Sequence, residues 1–368
     1  DPSTALSGTA ADLVLAFAGS ITEHTGTVTI TDAPSVTELK TINAATTGAI
    51  TLQTANGALS GTSADLVLAF AGTVTQHTGT VTIENSDYTV NQLKTINNAT
   101  DGAINFTTPS SGLSGSSSDL AIALAGTTNH TGALSITNSN YTSSELATIN
   151  NGTSGAITLN DPSTALSGTS TNLALALAGT INHAGTVTIS NINYTVTQLV
   201  TINAGTSGDI TLNTTNTALS GSAANLVLAF AGTVTEHTGT VEITDAPNVT
   251  QLKTINAATT GAITLSDATG ALSGSAADLV LAFAGTVTTH TGTVAITDAP
   301  TISQLKTINA ATNGAITLGI PGAALSDTAA NLALALAGTI NHSGTVEITD
   351  APSVTELVTI NAGTSGAI

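Results

Sequence analysis

Three residue types are missing from this sequence altogether: it has no cysteine, no methionine and no tryptophan. Without cysteine there is no disulfide framework and no thiolate metal site, and without either sulfur residue there is nothing for thiol or thioether oxidation to act on. Basic residues are scarce as well, four against 23 acidic ones, which leaves a formal charge of -19. Four cations cannot neutralise a phosphate backbone, and 2% aromatics give no platform for stacking bases, so nucleic acid is not an expected partner. Long apolar runs are lacking too. "LVLAFAG" and its copies extend about seven residues, against the roughly 20 that a bilayer crossing needs, so no membrane insertion is expected.

What the chain has is repetition. Leu-Ser-Gly, Leu-Ser-Asp in the last copy, puts Leu6, Leu59, Leu113, Leu166, Leu219, Leu272 and Leu325 in register at spacings of 53, 54, 53, 53, 53 and 53. The repeats run 6–58, 59–112, 113–165, 166–218, 219–271, 272–324 and, incomplete, 325–368, and they read as a single array over 1–368. A fixed period in this range marks a stacked architecture in which each unit buries its apolar face against its neighbours. The Gly before each strand-like run recurs at Gly26, Gly48 and Gly79, in steps of 22 and 31, so each repeat divides into two coils.

Both coils carry helix-start signals. In the shorter one Ser35 and Glu38 form a capping-box pair, repeated as Thr89/Gln92, Thr142/Glu145, Thr195/Gln198, Asn248/Gln251, Thr301/Gln304 and Ser353/Glu356. Val36, Leu39 and Ile42 then fall at helical spacing, and Gly48, Ile50 and Leu52 read as a turn into a strand. In the longer coil Thr9 and Asp12, with equivalents in every repeat, precede "DLVLAFAG". Its variant "LALALAG" at 173–179 alternates with period two and would also suit a buried strand; the cap and the terminal Gly favour a helix. Val28 and Ile30 alternate with Thr27, Thr29 and Thr31 as a strand with one apolar and one hydroxyl face.

These elements predict an α/β repeat solenoid of about 14 helix–strand coils, with a parallel sheet on one side, short helices on the other and right-handed connections. At the ~4.8 Å spacing of paired strands such a stack would form a rod on the order of 70 Å long. The alternative is a parallel β-helix-like solenoid.

Two polar columns stand out. Asn43, Asn97, Asn150, Asn203, Asn256, Asn309 and Asn361 close the "TIN" of each short coil, where a polar side chain is expected to satisfy a backbone turn within its own repeat. His24, His77, His130, His183, His237, His290 and His342 share one position before a small residue and Gly. Column members would stand ~10 Å apart by the strand spacing, too far to share one ion, so the histidines read as turn-stabilising. Charging all seven would change the formal charge from -19 to -12, which predicts that acid favours lateral association. No catalytic residue is assigned: a catalyst needs one pocket and has no use for seven copies.

Calcium is the one cofactor candidate, through Asp32, Asp245, Asp298 and Asp350 after the strand. Asn85, Asn138 and Asn191 replace them in the middle repeats, and no EF-hand or glycine-rich nonapeptide loop is present, so the expected cofactor set is otherwise empty. The threonine face would suit ice, a glycan or a second sheet, with breaks at Ser135, Glu242, Ala295 and Glu347. The sequons Asn98/Thr100 and Asn151/Thr153 are of the kind that chance supplies in a chain rich in Asn and Thr.

With "SDTAANLALALAG" at 326–338 and "VTQLVTINAGTSGDITL" at 196–212, the chain resembles the giant repeat-containing surface and matrix proteins of bacteria, cyanobacteria especially. The resemblance covers the whole sequence and implies an extracellular or cell-surface location, with no active-site residue to transfer. The expected function is a structural fibre, sheath or coat whose partners are other copies of the chain, end-to-end and lateral, with extracellular polysaccharide as a further candidate. The alternatives are an adhesin stalk or ligand-, ice- or glycan-binding array, and a calcium-dependent surface module. The chain opens inside the "DPSTALSG" that recurs at 161–168 and stops at "TSGAI", so coil is expected to continue onto coil beyond residue 368.

Overall fold

The structure is a computed structural model that describes residues 1–19, 23–179 and 181–368. The first repeat sets the pattern: β1 (Leu6–Gly8), α1 (Ala10–Ala16), β2 (Val28–Ile30), α2 (Val36–Ala45) and β3 (Ile50–Leu52), followed by β4 (Leu59–Gly61) and α3 (Ser63–Ala69) of the second. Fourteen helices alternate with short strands in this way among the described residues.

Local chemistry starts and stops each helix. Thr9, with extended backbone, accepts the Asp12 N–H on its hydroxyl at 3.2 Å and caps α1. Ser35 accepts the Glu38 N–H at 3.3 Å, while the Glu38 carboxylate takes the Ser35 N–H at 2.9 Å. This reciprocal box satisfies two N–H groups that a helix start leaves over. Gly19 lies just beyond α1 at φ 97° and Gly72 beyond α3 at φ 68°, a left-handed conformation that a Cβ would strain. The ambiguous "LALALAG" is helical over its first five residues, within Ser170–Leu177, and Ala178 and Gly179 lie beyond the helix end. Leu173, Ala176 and Leu177 are buried and Leu175 faces out, a helical i, i+3, i+4 pattern; a strand would have set the three leucines on one face.

Each strand is three residues long and pairs in parallel with the next coil. Leu6, Val28 and Ile50 stand in register, as do Gly8, Ile30 and Leu52. The expected single sheet is thus divided into one short sheet per repeat. The far edge of β3 takes a single bridge, Ile50 to Val74, with the Ile50 N–H bound to the Thr73 carbonyl and the Thr75 N–H to that of Ile50. A fresh sheet then begins at β4, because the long coil turns between β3 and β4 and so carries two strand segments where the short coil carries one.

Contacts divide the described chain into two compact units, Asp1–Thr188 with Gly205–Gly208, and Ile189–Ala204 with Asp209–Ile368. The first unit contains the sheets that begin at Leu6–Gly8, Leu59–Gly61 and Leu113–Gly115; the second contains those that begin at Leu219–Gly221, Leu272–Gly274 and Leu325–Asp327. In each, the core lies between strands and helices. Val28, Ile30, Leu39, Ile42 and Leu66 in one unit, and Val241, Ile243, Leu252, Ile255 and Leu279 in the other, are sealed from water. Each contributes about 1.5–3 kcal/mol, and only where a neighbouring coil covers it. The coils approach so closely at Gly48 that a Cβ there would lie 1.7 Å from the Gly26 carbonyl oxygen, which explains the recurrent Gly before each strand.

Candidate functional site: the joints between coils

The histidine column is an internal seam. The Nε2 of His77, His130, His183, His237, His290 and His342 lies 2.7–3.0 Å from the carbonyl oxygens of Gly57, Ser111, Thr164, Thr217, Gly270 and Ala323. A carbonyl only accepts, so Nε2 carries the proton and Nδ1 keeps its lone pair. That Nδ1 faces a threonine hydroxyl of the next coil, at 2.9 Å for His183–Thr206 and 2.8 Å for His342–Thr364. The same threonine hydroxyl commonly reaches the histidine's own carbonyl, as Thr100 does at 3.1 Å. One ring therefore ties the coil before it to the coil after it.

Burial pushes the imidazoles of His77, His130, His183 and His237 below their ordinary pKa, with the carbonyl bond acting the other way. These four rings resist the charging on which acid-induced association would depend, so protonation at the seam works against the fold and supplies no surface charge. His24 differs from the rest: it is buried, 5% exposed, and its Nε2 finds no hydrogen-bond partner among the described residues.

Aromatic residues guard this seam, a role that sequence reasoning missed. Phe17, Phe70, Phe230 and Phe283 lie 5.7–5.9 Å from His24, His77, His237 and His290. At two of the three positions where leucine replaces that phenylalanine, Leu124 and Leu177, a tyrosine of the preceding repeat arrives edge-on: Tyr88 at 6.3 Å from His130 and Tyr141 at 6.5 Å from His183; before Leu336, the third, the preceding repeat has no tyrosine.

The asparagine column acts between repeats. Asn43 sits inside α2, and its Nδ2 donates to the carbonyls of Leu68, Ala69 and Ala71 at 2.9, 3.2 and 2.6 Å. Asn150, Asn203, Asn256 and Asn309 do the same for the helix ends at Leu175, Leu228, Leu281 and Leu334. The expected bond within its own repeat is replaced by a cap on the next one, since the carbonyls left over at a helix end face the preceding coil. Asn97 and Asn361 occupy the same helical position, Asn97 with its Oδ1 beside Gly126 and Asn361 on the exposed side of Val354–Gly363.

The calcium candidates are caps as well. Asp32 Oδ1 accepts the Ala10 N–H at 2.8 Å, Asp245 that of Ala223 and Asp298 that of Ala276 at 2.7 Å, and Asp350 that of Ala329 at 2.8 Å. Each carboxylate thus sits at the first turn of a helix in the preceding coil, where the helix dipole favours negative charge. Asn85 and Asn138 hold Ser63 N–H and Ser117 N–H in the same way, at 2.7 and 2.8 Å, which explains why Asn replaces Asp in the middle repeats. Among the described residues no three His, Asp or Glu side chains gather as a metal would require.

All four lysines reach forward to the N-terminal turn of the next helix. Lys40 meets Asp65 and Lys253 meets Asp278, each at 2.6 Å; Lys94 meets Asp119, and Lys306 meets the Asn331 amide at 3.0 Å. The lysine bond first, and a Thr or Ser hydroxyl second, hold the carboxyls of Asp65, Asp119 and Asp278 below the usual range.

The sheets present a polar outer rank. Ser7, Thr29 and Thr51 stand side by side at the strand centres, as do Ser114, Ser135 and Thr158. Glu242 interrupts one rank and accepts from Ser220 and Ser266, each at 2.8 Å, which lowers its pKa. The sequon threonines Thr100 and Thr153 belong to the histidine seam. Shallow hollows recur beside the helix ends, such as one of about 240 Å³ lined by Phe283, Gly285, Val287, Thr289, Thr307, Ala310 and Ala311, with no titratable side chain. No helix among the described residues is long and apolar enough to cross a membrane.

No protein-family model matches this chain, and no curated protein matches it. The class its geometry defines is a repeated α/β solenoid-like array whose recurrent polar residues hold coil to coil.

Proposed function

We propose that the chain is a structural, extracellular repeat protein, without catalytic function, that builds a fibre, sheath or coat by association with further copies of itself. One observation carries this reading: the recurrent polar side chains are spent on neighbouring coils. Histidine bonds a carbonyl behind and a threonine ahead, Asn caps the helix ahead, Asp or Asn caps the helix behind, and Lys pairs with the helix ahead. Joints of this kind tie each coil to the next. Negative-stain electron microscopy of the purified chain and of native material tests it: filaments, sheets or bundles are expected, and isolated particles at every concentration would overturn it.

A second reading is an adhesin or ligand-binding array. It draws on the outward Ser and Thr ranks, whose hydroxyls at paired-strand spacing would suit a glycan or another regular surface. Glycan-array binding lost on replacing Thr51 and Thr158 by valine would favour it. For calcium, the engaged state of Asp32, Asp245, Asp298 and Asp350 weighs against a specific site.

A further inference from the structure

Seven large aliphatic side chains break the rule that apolar residues are covered, and they share one position. Leu15 (73% exposed), Leu68 (53%), Ile122 (37%) and Leu175 (48%) lie in one unit, and Leu228 (54%), Leu281 (54%) and Leu334 (57%) in the other. Each belongs to the long-coil helix of its repeat, two residues past a sealed leucine such as Leu13 or Leu66. A lone exposed leucine is ordinary; one at the same place in successive repeats of a unit makes a ladder on that unit.

We propose that the ladder of each unit is a self-docking face, on which a second copy of the chain packs side by side; the inference rests on the structural reading above and names the surface of its lateral contacts. Charge argues for it first. All four lysines lie on helices, but only seven of the 23 acidic residues do, each in a first turn, and three of those seven are paired with lysine. The helices themselves thus carry a net -3 (4 - 7) of the -19 charge, with Asp32, Asp245, Asp298 and Asp350 engaged at their first turns, so two copies that approach there meet only part of the chain's repulsion. A strongly basic or acidic partner would find little on this face to read.

Shape argues for it second. Beside Leu68 lies an apolar hollow of about 130 Å³, lined also by Lys40, Asn43, Ala44 and Ala71, which is room for one aliphatic side chain. Thr41, Ala44 and Ala64 around it are exposed and small. A knob and a hollow on one face make that face self-complementary, the condition for a two-fold contact between identical chains.

The test uses the whole chain. Sedimentation equilibrium should show concentration-dependent pairing of the 35.9 kDa chain. The combined variant Leu68→Gln, Leu175→Gln, Leu228→Gln and Leu281→Gln should weaken that pairing at least tenfold and leave the far-UV spectrum and melting curve unchanged, since these side chains contribute little to the core. Because the chain has no cysteine, Leu175→Cys reports contact directly. Mild oxidation should give covalent dimers from Leu175→Cys and not from Thr158→Cys on the sheet side. Equal pairing by the glutamine variant, or dimers only from Thr158→Cys, would overturn the proposal. Single-file filaments with no lateral pairing would overturn it too and leave the structural reading intact; a wild-type chain that never associates would remove both.

Discussion

The Nε2–H of His237 donates to the carbonyl oxygen of Thr217 across 2.7 Å, from a ring wholly shielded from solvent. Thr217 belongs to the preceding coil, so a bond between residues 20 apart in sequence fixes the separation of two layers. Replacing His237 by leucine leaves that carbonyl without its donor in a dry seam, while the Thr259 hydroxyl keeps the residue-237 carbonyl and the Gly261 N–H, at an expected cost of about 1–3 kcal/mol. His24→Leu removes no such carbonyl bond among the described residues and should cost less. Urea unfolding of the two variants side by side measures the difference; equal losses would mean that the ring acts through packing alone.

Acid should destabilise the fold in two stages. For His77, His130, His183 and His237 the folded pKa is lowered, so the native state binds fewer protons than the unfolded chain once the pH drops below ~6.5. Stability is therefore full above ~6.5 and falls as the pH descends from there toward the folded pKa. Asp65, Asp119 and Asp278 have depressed pKa values, so what they contribute is present above the ~3.9 of an unfolded aspartate and disappears as pH falls through their folded pKa. The urea midpoint should decline through the histidine window, and His77→Gln with His237→Gln should flatten that decline. A midpoint constant from about pH 8 to about pH 5 would show that the rings accept a proton in place.

Asn256 donates to three carbonyls, those of Leu281, Ala282 and Ala284. Asn256→Ala should cost about 0.5–1.5 kcal/mol through the lost bonds. Asn256→Asp should cost more at neutral pH, because a carboxylate only accepts and would face three acceptors. Thermal melts at neutral and mildly acidic pH separate these cases, with the aspartate variant recovering part of its loss once protonated.

Asp298 separates a cap from a metal ligand. If its role is to accept the Ala276 N–H, Asp298→Asn should be nearly neutral, as Asn138 already shows by holding Ser117, while Asp298→Ala costs about 0.5–2 kcal/mol. EDTA should leave the melting temperature of the wild-type chain unchanged. A drop in EDTA that calcium restores, together with an Asn variant as impaired as the Ala variant, would reverse the assignment in favour of calcium.

The sequence alone determined what depends on near neighbours. The period follows from Leu6 and its copies, and each helix start from pairs three residues apart such as Thr9/Asp12 and Ser35/Glu38, because a cap closes over a single turn. The strands at Val28–Ile30 and Ile50–Leu52 follow from their alternation. Even "LALALAG", which alternates like a strand, carries its helical cap and its terminal Gly in plain view. What only the tertiary structure decided is the partner of each repeated polar side chain. The same Asn that reads as a turn residue caps a helix 25 residues ahead, Asp298 caps one 22 residues behind, and His237 binds a carbonyl 20 residues behind it. Those offsets equal no local period; they are the path length of one coil, fixed only when the helices and strands have stacked. A sequence states that such a residue recurs, and stacking supplies the donor or acceptor that makes the recurrence necessary.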